Sequence, residues 1–147
     1  FTFIDDKQRL ARDLLEVRFM IEPQMARMAA EHATNDQVVC IEELCDESER
    51  LAEAGKDYSA ADTAFHNAIA ESSGNLVVPR LMGVLKASVP LFIDVTGKKL
   101  VEETIRTHRD VADAIASRNP TAAHDAMYLH LVYNRNMIAE GAQEQSK

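Results

Sequence analysis

The sequence predicts an all-α protein, an antiparallel bundle of six to seven helices. Three observations carry that expectation. Apolar residues recur at three- and four-residue spacing nearly throughout, which is the period of a helix with one buried face. Only 5% of the 147 residues are aromatic and none is Trp, and there are five Gly and four Pro. A β-sandwich or barrel needs more turn residues and more β-branched and aromatic positions. The connecting segments are short, which favours antiparallel neighbours.

The first helix is expected from about Asp6 to His32, where Leu10, Leu14, Val17, Ile21, Met25 and Met28 mark the repeat. Pro23 lies inside it and has no backbone donor, so a kink or a missing hydrogen bond is expected there. Thr34-Asn35-Asp36-Gln37 reads as a capping box that opens a second helix, and Gly55 closes that helix after Ala54. Its outer face (Glu42, Glu43, Asp46, Glu47, Glu49) reads as solvated surface. Asp57-Tyr58-Ser59 opens a third helix and Gly74-Asn75 ends it.

The fourth helix is expected from Leu76 to Val95, with Pro79 in its first turn and a bend at Pro90. Thr96-Gly97-Lys98-Lys99 reads as a turn. The fifth helix spans about Leu100 to Ser117. Asn119-Pro120 then supplies a cap and a first helical residue for the sixth, which is expected to end near Glu140 before a polar tail, Gly141 to Lys147.

The length fits one domain with a substantial core. With 24 acidic residues against 16 Lys+Arg, the formal charge is −8. Nucleic acid and anionic membranes demand a cationic surplus, so this chain is not expected to grip either by itself. The most apolar stretch, Leu76 to Val95, contains Pro79, Arg80, Lys86 and Pro90 and does not read as a membrane span. No signal peptide is visible, and Cys40 and Cys45 lack metal or disulfide spacing. They read as small buried or half-buried hydrophobes in a reducing cytosol, which gives a cytoplasmic expectation.

The chemistry-bearing residues are few. Asp62 and His66 stand four apart, about 40° around a helix, so both project from one face. A carboxylate and an imidazole suit Zn²⁺, Ni²⁺, Mn²⁺ or Fe²⁺. His108 shares a face with Ile105, Ala112 and Ile115, and His130 with Ala123, Met127 and Met137. Three imidazoles on the inner faces of three helices fit a shared ion held in the bundle interior. They also fit three separate core hydrogen bonds, and spacing leaves both readings open. His124 and His32 fall on a flank and at a helix C-terminus.

Arg18 and Glu22 form another i, i+4 pair. They read either as a surface ion pair or as an Arg turned inward to fork onto a ligand carboxylate. The signatures HExxH, GxSxG and Glu-x-x-His are missing, as is a Gly-rich phosphate loop. His124-Asp125 matches the His-Asp dipeptide of helical phosphohydrolases, but the distal Asp of that family has no counterpart after position 125.

The order Glu16-x-Arg18-x3-Glu22, Ala29-Ala30 with Ala33-Thr34, Asp62-x2-Phe65-His66, Ser73-Gly74-Asn75, His108-x6-Ile115 and His130-Leu131 resembles the C-terminal effector-binding (FCD) domain of FadR-type regulators in the GntR family. The resemblance spans about residues 9 to 140, so residues 1–147 read as a single FCD-like ligand-binding domain. It implies a bundle of six or seven helices that follows an N-terminal winged-helix DNA-binding domain, and so reads Phe1 as a boundary in a longer protein. It also implies a divalent metal on Asp62, His66, His108 and His130, with zinc the first choice and nickel, manganese or iron the others. A small carboxylic-acid effector would meet Arg18 and Asn75, although Asn75 also suits a left-handed helix cap. A homodimer is implied, DNA is reached only through the missing domain, and no membrane partner is expected. The resulting expectation is a sensor rather than an enzyme; a helical metal-dependent hydrolase is the alternative, because an ion with open positions activates water.

Overall fold

A computed structural model describes residues 3–86, 91 and 101–145. Among these, six helices follow one another: α1 (Phe3–His32), α2 (Asn35–Glu53), α3 (Ser59–Glu71), α4 (Val78–Leu85), α5 (Val101–Ala116) and α6 (Pro120–Gln145). They form the expected all-α bundle. No helix among the described residues is long and apolar enough to cross a membrane.

The expected boundaries hold where capping chemistry sets them. The Gln37 amide donates to Thr34 Oγ1 at 3.1 Å, and Gln37 Oε1 accepts from the Thr34 amide at 2.9 Å, completing the capping box. Asn119 Oδ1 accepts from the Ala122 amide at 3.1 Å, with Pro120 opening α6. Gly55 follows α2 with φ +70°.

Other expectations need correction. The turn after α3 takes its left-handed residue at Gly74 (φ +76°) and not at Asn75. A side chain at Gly74 would place its Cβ 3.1 Å from His32 Cβ, so the turn packs closely on the end of α1. The helix α6 continues past Glu140 to Gln145. A single Gly141 costs only about 1 kcal/mol in a helix, and Ala142, Gln143 and Glu144 are good helix formers. The bend at Pro90 and the turn at Thr96-Gly97-Lys98-Lys99 lie outside the described residues.

The central pairings are α1 with α6 and α6 with α5, while α2 packs on α3 and α5. Among the described residues, two apolar clusters lie in the interior. The larger contains Met25, Ala26, Ala29, Ile41, Phe65, Ile69, Val111, Ala112, Ile115, Ala123 and Met127. The smaller contains Ala11, Leu15, Leu131 and Ile138, with Phe19 and Leu91 against it.

The order along α1 places a polar layer between them. Its buried positions run Ala11, Leu15, then Arg18 and Glu22, then Met25, Ala26 and Ala29. The helix α6 repeats that order in the opposite direction: Ala123 and Met127, then His130, then Leu131 and Ile138. The apolar stripe expected on α1 is therefore rotated. Leu10 and Val17 are exposed, and Arg18 and Glu22 take inward positions.

Candidate metal centre

Four helices supply the polar layer. Asp62 and His66 come from α3, Thr107 and His108 from α5, His130 from α6, and Arg18 and Glu22 from α1. All seven are buried. The i, i+4 spacing on α3 turns Asp62 and His66 to one face, as helix geometry requires. The His108 and His130 rings lie 4.4 Å apart between centroids, and His66 stands 5.4 and 5.5 Å from them. Phe65 closes the apolar side, 4.9 Å from His108.

The ligand-capable atoms of His66, His108 and His130 all lie within 4.8 Å of one another. Asp62 Oδ1 sits 3.2 Å from His66 Nε2 and 3.1 Å from His108 Nε2. Those distances fall in ion-pair range, yet Asp62 Oδ1, His66 Nε2 and His108 Nε2 make no hydrogen bond. An unsatisfied buried polar atom costs about 1–3 kcal/mol, and three lying against one another form a donor set that could hold a cation. Ligand atoms around a tetrahedral zinc, at about 2.0–2.1 Å from it, stand roughly 3.3 Å from each other. The Asp62 separations agree with that spacing.

The outer ring nitrogens are engaged separately. His66 Nδ1 bonds Glu22 Oε1, and Arg18 Nε donates to Glu22 Oε2. His130 Nδ1 lies 2.9 Å from Thr107 Oγ1. The Nε2 sides of both rings are thereby left for the interior of the layer.

Electrostatics follow from this wiring. Burial alone would raise the Glu22 carboxyl, but the charges of Arg18 and His66 outweigh it and hold Glu22 well below the usual carboxylate range. Burial also works against ionised Asp62, and His108 and His66 overcome it in the same way. Burial opposes a charged His66, yet Glu22 and Asp62 raise it from 6.5 to about 9. The two carboxylates thus favour a charged His66 ring. His130 is lowered well below 6.5, first by burial and then by the neighbouring positive groups, so its ring is neutral.

Of the four residues singled out as ligands, His66, His108 and His130 form one ligand-capable group, and Asp62 lies against His66 and His108. The Arg18–Glu22 pair is 2% and 0% exposed, which overturns its surface reading. Asn75 is exposed, and its Oδ1 accepts from the Val77 and Val78 amides at 2.8 and 3.1 Å, closing the turn that leads into α4. His124 is half-buried beside Asp125. Cys45 is buried as expected, whereas Cys40 is exposed. The acidic face of α2 is not wholly solvated surface: Arg109 from α5 bonds Asp46 and Glu49. Sequence reasoning missed the link from Glu22 to His66 and the role of Thr107. Glu22 was detectable, because Leu15, Arg18, Glu22 and Met25 follow helical spacing; nothing local marks Thr107.

Comparison with known proteins agrees with this architecture. The FCD domain family matches residues 13–133. The chain is 28% identical over 131 residues to the uncharacterized HTH-type transcriptional regulator YcbG of Bacillus subtilis, covering 89% of this chain and 55% of that protein. It is 28% identical over 139 residues to the galactonate operon transcriptional repressor of Escherichia coli, covering 92% and 61%. A solved structure of Streptococcus agalactiae GntR superposes with a TM-score of 0.79 at 33% identity, covering 91% of this chain and 62% of that one. The chain thus spans somewhat over half the length of these relatives. It belongs to the FCD domain family, in its form found among GntR-type transcription regulators.

Proposed function

We propose that this chain is the effector-sensing domain of a FadR-type regulator, holding a divalent ion on Asp62, His66, His108 and His130 and a small organic acid beside it. The observation that carries the reading is the convergence of three buried, unpartnered ligand atoms on one point. Three imidazoles and one carboxylate suit zinc first, and also nickel, manganese or iron. The ion would act as a Lewis acid that binds an effector carboxylate or hydroxyl.

Arg18 stands in the same layer and is the proposed anchor for that carboxylate. Asn75, whose Oδ1 is engaged by the Val77 and Val78 amides, is assigned no effector contact. One relative is named for a galactonate operon, and galactonate is a hydroxy acid, in keeping with an acid effector. Effector binding would draw together α1, α3, α5 and α6, and so bias the arrangement of an N-terminal winged-helix domain outside these residues. The effector acts only through its differential affinity for the two arrangements. The proposed assembly is a cytoplasmic homodimer.

A sensor fits better than a hydrolase. A metallohydrolase needs a base for the attacking water. Asp62 is a proposed ligand, and Glu22 is held ionised between Arg18 and His66 with a depressed proton affinity. The reading is tested by a thermal-shift screen of small carboxylic acids with and without Zn²⁺, Ni²⁺ or Mn²⁺. Stabilisation by an acid only in the presence of metal is expected. An acid response that ignores metal, or no response to any metal, would overturn it.

A further inference from the structure

We infer that Glu22 and Thr107 are positioning residues that fix the tautomers of His66 and His130, turning both Nε2 lone pairs toward one cation. The inference rests on the proposed metal site and extends it to two side chains that touch no ion.

The Thr107 case follows from counting protons. A threonine hydroxyl has one proton to donate and two lone pairs. Thr107 Oγ1 lies 2.7 Å from the carbonyl oxygen of Glu103, one helical turn back, and 3.2 Å from that of Thr104. Its proton is spent on that backbone. The 2.9 Å contact with His130 therefore requires Nδ1–H to donate to Oγ1. With Nδ1 carrying the donated proton, Nε2 is the His130 nitrogen left to offer a lone pair.

Glu22 reaches the same result with an ionised group. A carboxylate only accepts, so the bond from His66 places a proton on Nδ1. Arg18 holds the other carboxylate oxygen and prevents rotation. With Nδ1 engaged by Glu22, Nε2 is the His66 nitrogen that would face a cation held in the layer. Two rings from two helices are thus preset to present the same nitrogen. The two partners differ in kind: an anion raises the basicity of one ligand, and a hydroxyl only orients the other.

The test uses the full chain stripped of metal, with Zn²⁺ as the probe and circular dichroism as the check on folding. Zinc affinity is measured by competition with a chromophoric chelator. Thr107→Val, nearly isosteric, is expected to weaken zinc about 10-fold or more, and Thr107→Ser to restore it; Glu22→Gln is expected to weaken it by about 10–100-fold. Long-range ¹H–¹⁵N spectra of the metal-free protein at pH 8 are expected to show His130 as the Nδ1–H tautomer alone, and a mixture in Thr107→Val. An Nε2–H tautomer at His130 would overturn the inference whatever the metal does. Unchanged zinc affinity in both variants would overturn it while leaving the metal reading intact. Failure of the unmodified chain to bind zinc, nickel or manganese would overturn both.

Discussion

The two halves of the bundle interior are built on opposite principles. Met25, Phe65, Ile69, Ile115 and Met127 belong to one apolar cluster, touched by the polar layer where Phe65 meets His108, and its burial stabilises the fold by roughly 25 cal/mol per Å². One turn away on the same helices, Arg18, Glu22, Asp62, His66, His108 and His130 are buried just as deeply. Burying ionised groups is costly even when they are paired, and breaking such a pair strands the survivor. The apolar cluster holds the helices together. The polar layer weakens the fold it sits in and is tolerable only because its members neutralise one another, or a shared cation. A protein whose sole task was to fold would gain little from it, which is the physical case for function.

The largest expected effect breaks that neutralisation. Arg18→Met leaves Glu22 buried with half of its partners and should cost about 3–5 kcal/mol in urea unfolding. It should also weaken zinc, because Glu22 then loses its anchor. Ile69→Ala in the apolar cluster should cost a comparable 2–5 kcal/mol while leaving zinc affinity of the folded protein unchanged. Loss of metal in Ile69→Ala, or full metal affinity in Arg18→Met, would erase the division between the two regions.

That division also explains what was legible in the sequence. The fold followed from period and caps: Thr34-Gln37, Gly55 and Asn119-Pro120 encode their own hydrogen bonds within a few residues. The residues proposed as ligands stood out because Asp62 and His66 share a local spacing and His108 and His130 lie among apolar neighbours. The face of α1 was misjudged, since Leu10, Val17 and Ile21 form an apolar stripe beside the true inward positions. Hydropathy cannot recognise Arg18 and Glu22 as interior, because what compensates them lies 44 residues away at His66. Thr107 was hidden for the same reason: its partner His130 is 23 residues distant.

A smaller effect sharpens the contrast through pH. In the metal-free protein His66 is raised from 6.5 to about 9. The folded state thus holds a proton that the unfolded chain releases. The associated stability is fully present below pH 6.5 and is lost as pH rises toward 9. A bound cation replaces that proton, so the metal-loaded protein should not show the decline. Urea unfolding at pH 6.5, 7.5 and 9, with chelator or with zinc, measures both curves. A flat metal-free curve would remove His66 from the charged network.

The smallest expected effect comes from the same chemistry placed at the surface. Arg109 on α5 bonds Asp46 at 2.5 Å and Glu49 at 2.7 Å on α2, beside the apolar cluster. Like Arg18 it joins a guanidinium to carboxylates, but Asp46 is 67% exposed and Arg109 itself 32%. Water solvates each group when the other is gone, so no charge is stranded. Arg109→Met should therefore cost less than about 1 kcal/mol, and the difference should fade in 1 M salt, where screening acts within about 3 Å. The cost of Arg18→Met should persist at that salt, since counterions do not reach a buried pair. Equal costs for the two substitutions would mean that burial, and not the pairing chemistry, had been given too much weight in separating the polar layer from the rest of the molecule.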